Sequence, residues 1–181
     1  GVNHEGSFDM AKKLIDLAKE GGADAAKFQS YKADNLASKN SPAYWDTKKE
    51  LTLSQFELFK KYDNFNEEQY ISLSEYCDSV GIVFLSTPFD DESIEFLEPL
   101  MPFYKIASAD LTNTPFMRKI AKKNKPILLS TGASSTTEIS KAIEVLNEEG
   151  CNNISLLHCV LNYPTIDRNA HLSMISGLKK A

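Results

Sequence analysis

Gly81-Ile82-Val83-Phe84-Leu85-Ser86-Thr87-Pro88 is the stretch on which the fold class turns. A glycine halts the amphipathic run before it, and the chain passes directly into a short apolar segment that ends in hydroxyls and a proline, the pattern of a strand following a helix. The preceding run has Asn66 as an N-cap, Gln69 three residues later, then Leu73, Tyr76, Cys77 and Val80 at helical spacing. Downstream the alternation repeats. The pattern predicts a helix over 91–100, a strand over 103–107, a helix over 115–123 and a strand over 126–130. Ser135 and Glu138 then form a capping box for a helix carrying Ile139, Ala142, Ile143 and Leu146 and ending at Gly150. A strand over 154–159 and a last helix over 169–178 complete the series. Upstream, Ser7 caps a helix with Phe8, Ala11, Leu14, Ile15 and Ala18, which stops at Gly21-Gly22 before a strand over 23–29. Residues 30–66 form a long connection with a helix around Leu53, Phe56, Leu58 and Phe59, and connections of this length are more often functional than idle.

Five short apolar strands separated by helices imply parallel βαβ units with right-handed crossovers, so the class is α/β. Two architectures fit: a five-stranded doubly wound sheet, or an incomplete (β/α)8 barrel. No Gly-rich dinucleotide or P-loop fingerprint is present, which weakens the nucleotide-binding form of the first.

The 181 residues carry 20 Lys+Arg against 25 Asp+Glu, a formal net charge of −5, with 42% hydrophobic and 25% charged residues. This balance fits a globular chain and argues against disorder and against a general grip on nucleic acid through phosphate neutralisation. No apolar run of about 18 residues suggests a membrane span, and the N-terminal residues do not read as a signal peptide, so a soluble cytoplasmic protein is expected. The chain opens on Gly1 in loop-like residues, and it is expected to be a piece of a longer protein. Cys77, Cys151 and Cys159 match neither a zinc pattern nor a disulfide framework and are expected to be inert thiols. Tyr44-Trp45 is expected to lie on an exposed helix that packs over the sheet rather than to form a lid.

In either architecture ligands bind at the carboxyl ends of the strands. Those positions are unusually polar here: Lys27, Gln29, Ser86-Thr87-Pro88, Lys105, Ser108, Asp110, Ser130-Thr131-Gly132, His158 and Tyr163. Lys27 and Lys105 lie in or at the end of apolar runs, where an ammonium is costly to desolvate unless an anion compensates. Two such lysines with several hydroxyls suit a phosphate or carboxylate dianion. A Schiff-base lysine is the rival reading. The hydroxyls could equally end strands and cap helices, and Asp110 could be a turn residue. With three histidines, no His-x-x-x-His pair and no adjacent carboxylate cluster, a complete metal site within this chain is not expected.

At these strand ends the sequence resembles the sialic acid synthase family, the phosphoenolpyruvate-condensing enzymes that make N-acetylneuraminate and related nonulosonic acids. The motifs run in order: Gly1-Val2-Asn3-His4-Glu5-Gly6-Ser7, Ala25-Ala26-Lys27-Phe28-Gln29, Leu85-Ser86-Thr87-Pro88-Phe89, Tyr104-Lys105-Ile106-Ala107-Ser108, Pro126-Ile127-Leu128-Leu129-Ser130-Thr131-Gly132, Leu156-Leu157-His158-Cys159 and Tyr163-Pro164-Thr165.

The resemblance implies a (β/α)8 TIM barrel, of which residues 1–181 would supply about strands two to six as a partial catalytic domain. It implies that Lys27, Thr87, Lys105, Ser108 and Ser130 hold the phosphate and carboxylate of phosphoenolpyruvate, with Lys27, Lys105 and Asp110 the catalytic candidates. Gln29, Asp110 and Tyr163 would face an N-acetylated amino sugar such as N-acetylmannosamine. Asp110 stands where some members have Glu and Leu161 where some have Asn, so the acceptor is left open, with Asn162 adjacent. The resemblance further implies a divalent metal, Mn2+ or Mg2+, acting as Lewis acid with ligands outside this chain, and a homodimer for the full-length protein. The implied reaction releases phosphate. The runner-up is another phosphoenolpyruvate-dependent sugar-acid synthase, and the chain alone is expected to be an inactive fragment.

Overall fold

The computed structural model describes residues 2–179, so Gly1 of the first motif lies outside the described residues. The chain divides into two compact units, Gly1–Met101 and Pro102–Ala181. Both are built from helices and parallel strands, which establishes the α/β class.

In the first unit α1 (Phe8–Glu20) starts on Ser7, whose side chain accepts from the Met10 N–H, and leads to β1 (Ala25–Ser30). The connection holds a single helical turn, α2 (Ala33–Leu36), and then α3 (Gln55–Tyr62). Between them residues 41–55 bond to themselves: Pro42 and Ser54 form an isolated antiparallel bridge, and the Trp45 indole N–H donates to the carbonyls of Glu50 and Thr52. Tyr44-Trp45 is therefore not on a helix, contrary to expectation, because the indole closes its own loop. Helix α4 (Glu67–Val80) begins with the expected capping box, Asn66 with Gln69, and ends at Gly81 in the left-handed conformation (φ 74°) that glycine adopts without the Cβ penalty. Then follow β2 (Val83–Pro88) and α5 (Asp91–Leu97), after which a 3-10 turn over Glu98–Leu100 replaces the last part of the expected helix because Pro99 supplies no N–H.

Strands β1 and β2 pair in parallel, with Lys27 opposite Leu85 and Gln29 opposite Thr87. Side chains alternate along β1. Ala26, Phe28 and Ser30 are buried, whereas Lys27 is exposed and Ala25 and Gln29 are half-buried on the other face. Helix α1 packs on β1 and α4, and α4 packs on β2. Ala11, Ile15, Phe28, Leu73, Cys77 and Phe84 form part of the core that results.

In the second unit β3 (Tyr104–Ile106) is followed by a 3-10 turn, Ser108–Asp110, then α6 (Thr114–Ala121), β4 (Ile127–Ser130), α7 (Thr136–Glu148) and β5 (Ile154–Leu157). The three strands form one parallel sheet in the order β3-β4-β5. Helices α6 and α7 pack together, burying Met117, Ile120, Val145 and Leu146. Arg118 on α6 pairs with Glu148 and Glu149 at the end of α7. The expected strand over 154–159 stops at Leu157. The expected helix over 169–178 is a 3-10 turn over Asp167–Asn169 followed by α8 (Met174–Leu178), because His171 between them takes a positive φ of 44°, which an α-helix does not accommodate.

Candidate functional site

The candidates fall into one set on each unit. On the first, Lys27 and Thr87 lie across the β1–β2 pair, where the ammonium makes a long donor contact of 3.4 Å to Thr87 Oγ1. Lys27 is exposed by surface area, although Leu85 and Thr87 on the same face of the strand pair are buried, so the expectation of a desolvated lysine is met only in part. Nearby protein still displaces enough water to hold its pKa below the ordinary lysine value. Gln29 is on the same face of β1, and its carbonyl accepts from the Tyr70 hydroxyl at 2.8 Å. Thr87 is buried, and beneath this strand end Ser30 and Ser86 share a buried hydroxyl bond of 2.7 Å.

On the second unit, Lys105 meets the expectation of burial, with 8% of its surface exposed. Its ammonium donates to Ser130 Oγ at 2.6 Å and to the Ile106 carbonyl at 2.7 Å, so a strand-end hydroxyl and a backbone dipole offset part of its desolvation. Ser108 accepts from the Gly132 backbone N–H at 3.0 Å, tying the turn after β3 to the segment after β4. Thr131 ties that segment in turn to β5, its N–H and its hydroxyl each donating to the Leu157 carbonyl at 3.0 Å.

Asp110 closes the 3-10 turn. Desolvation raises its pKa, opposed by a hydrogen bond from the Asn113 side chain and by the positive charge of Lys105, and its Oδ2 is buried without a hydrogen-bond partner among the described residues. Asn113 escaped the sequence reading. It also caps α6, accepting from the Phe116 N–H, and the Asn-x-Pro start of that helix was the available signal.

The remaining candidates are not gathered into either set. Tyr163 is 93% exposed, in a turn with a cis bond to Pro164, and Leu161 and Asn162 beside it are exposed. His158 Nε2 bonds the Ala170 carbonyl at 2.7 Å, which holds the segment after β5 against the turn before α8. His4 is buried and stacked on Phe65 with ring centroids 4.4 Å apart, and its Nδ1 accepts from the Gly6 N–H. Cys77 and Cys151 are buried and Cys159 is half-buried. Burial pushes the Cys77 thiol up to about 12, so it does not ionise at neutral pH.

Among the described residues no group of three or more His, Cys, Asp or Glu side chains is arranged to hold a metal ion. The described residues thus supply no ligand set for the divalent metal whose ligands the resemblance places outside this chain. No helix of the described residues is long and apolar enough to cross a membrane.

A protein-family model described as the NeuB family matches residues 14–181. The chain belongs to the NeuB family. It is 40% identical over 186 residues to the N,N'-diacetyllegionaminic acid synthase of Campylobacter jejuni, covering 100% of this chain and 55% of the relative. It is 33% identical over 181 residues to the human N-acetylneuraminate-9-phosphate synthase, covering 99% of this chain and 50% of the relative. Among solved structures, the N-acetylneuraminic acid synthetase of Leptospira borgpetersenii in complex with citrate superposes with a TM-score of 0.86 at 30% identity, covering 99% of this chain and 59% of that one. This NeuB family chain thus spans about half the length of the curated relatives it matches.

Proposed function

We propose that this chain is part of a (β/α)8 barrel synthase that condenses phosphoenolpyruvate with an N-acetylated hexosamine, forming a nonulosonic acid and releasing phosphate. Family membership and the names of the relatives support the reaction class. The observation that carries the residue roles is the buried Lys105 ammonium, seated on Ser130 at the carboxyl end of its strand. In a parallel α/β fold that end is where ligands bind, and a positive charge placed there favours an anion.

In this reading C3 of phosphoenolpyruvate bonds to the aldehyde carbon of the open-chain sugar, water adds at C2, and phosphate leaves. Lys105, Ser108 and Ser130 position the three-carbon unit and offset its charge, which is proximity and electrostatic catalysis without a covalent intermediate. Lys27 and Thr87 are assigned to the same ligand by the resemblance alone. Gln29, Asp110 and Tyr163 are assigned to the acceptor on the same ground. The whole protein is proposed to be a homodimer that uses a divalent metal held by residues outside this chain.

The test is calorimetric titration of the full-length protein with phosphoenolpyruvate. Lys105→Met is expected to weaken binding at least about a hundredfold, since a charge-assisted contact in a dry site contributes about 3 kcal/mol. The fold is expected to survive, because an apolar side chain of similar length removes the buried ion and its partner Ser130 is a neutral hydroxyl, so no unpaired charge is left behind. Retained affinity would sink the assignment.

The lowered pKa of Lys27 favours a second reading, a Schiff-base aldolase, because a nucleophilic amine must be neutral. Borohydride trapping with substrate separates the two: a stable adduct mapped to Lys27 or Lys105 supports the aldolase, and its absence under conditions that trap a known aldolase removes it.

A further inference from the structure

We propose that Gly132 is a positioning residue that aims the Ser108 hydroxyl at the bound anion, an inference that rests on the phosphoenolpyruvate reading above. The Gly132 N–H donates to Ser108 Oγ at 3.0 Å. A hydroxyl that accepts from an N–H keeps its own O–H as a donor, and the direction of the accepted bond restricts where that O–H can point. Ser108 is thereby set to donate to a carboxylate or phosphate oxygen.

The peptide at Gly132 is itself held. Its carbonyl accepts from the Ser134 hydroxyl at 3.1 Å, and Thr131 before it is fixed to Leu157 by both its N–H and its hydroxyl. The position does not need glycine for its backbone angles, since its φ lies outside the left-handed region. It needs glycine for space. A Cβ there would stand 3.0 Å from Ser108 Oγ, 3.3 Å from the Cys159 Cβ and 3.5 Å from the Cys159 carbonyl oxygen. Cys159 closes the far side, so the added methyl would displace the Ser108 hydroxyl or the N–H that aims it.

The experiment is a double-mutant cycle in the full-length protein, comparing Gly132→Ala, Ser108→Ala and the double variant by KM and kcat for phosphoenolpyruvate, by calorimetric Kd and by thermal melting. Gly132→Ala alone is expected to raise KM and Kd about tenfold, the effect of one misaimed hydrogen bond to a charged ligand, with a smaller change in kcat. Added to Ser108→Ala it is expected to change them by less than about twofold, because the methyl then enters the space left by Oγ and no hydroxyl remains to misaim. If Gly132→Ala does not fold, the double variant carries the test, and it is expected to melt and bind as Ser108→Ala does. Equal penalties in both backgrounds, unchanged affinity in Gly132→Ala, or a double variant that binds worse than Ser108→Ala overturn the role of Gly132 while leaving the ligand reading intact. Unchanged affinity in Ser108→Ala overturns the ligand reading, and the role of Gly132 with it.

Discussion

Lys27 and Lys105 stand at equivalent places in the sequence pattern, each in an apolar run at the end of a strand, and the structure treats them differently. Lys105 is buried and seated on Ser130, whereas Lys27 on β1 is exposed. The difference is cover: β3 is buried along its whole length, whereas β1 is buried only at alternate residues, and a short apolar run does not record which of these holds. Asp110 carries a pH signature. Its pKa is raised in the fold, so the folded state favours the protonated form, and the carboxylate costs stability at every pH above the folded pKa and nothing below the unfolded one. Asp110→Asn is therefore expected to raise the melting temperature at about pH 7 and to leave it unchanged at about pH 3, where the unfolded carboxyl is protonated too. A variant melting at or below the parent near neutrality would show that the charge of Lys105 outweighs desolvation.

The helices were the most legible elements, because caps and spacing are local properties. The capping boxes Asn66/Gln69 and Ser135/Glu138 form as their spacing predicts, and Gly81 ends α4 in the left-handed conformation. Boundaries were lost where a single residue changed the backbone: Pro99 ends α5 early, and His171 prevents a helix over 169–178. Helix α4 anchors the first unit through Leu73, which is fully buried. Leu73→Ala is expected to cost about 3 kcal/mol by urea denaturation, from lost transfer energy plus the cavity left behind. Glu75→Ala, exposed on the same helix, is expected to change stability by less than about 0.5 kcal/mol. Comparable losses from both would mean that α4 is held by its own propensity and not by its apolar face.

At the scale of the whole molecule, the relevant quantity is length. The chain covers 55% of the legionaminic acid synthase and 50% of the human synthase that it resembles, and a (β/α)8 barrel typically needs about 250 residues against the 181 present. Under the proposed function, residues 1–181 assayed alone with phosphoenolpyruvate, N-acetylmannosamine and manganese are expected to release no phosphate above the no-enzyme rate. Robust release would show that these residues contain a sufficient active site, against the proposal. The net charge of −5 coexists with the buried cation at Lys105, so the overall balance carries no information about an anionic ligand.

The sequence by itself determined the α/β class, the order of the principal helices and strands, and the polar residues at the strand ends, since periodicity, caps and strand-end chemistry are written within a few residues of one another. Its ordered motifs were enough to point to the family that the family comparison then showed. Only the tertiary structure decided which lysine is buried, that Asn113 bonds Asp110, that Tyr163 lies open, and that Gly132 leaves room for Ser108 and Cys159 to approach. The lysine environments and the contacts at Gly132 depend on neighbours many residues away, and Asn113 reaches Asp110 only because the chain turns after β3; hydrogen bonds and steric limits of that kind exist only once the chain has brought the partners within a few ångströms.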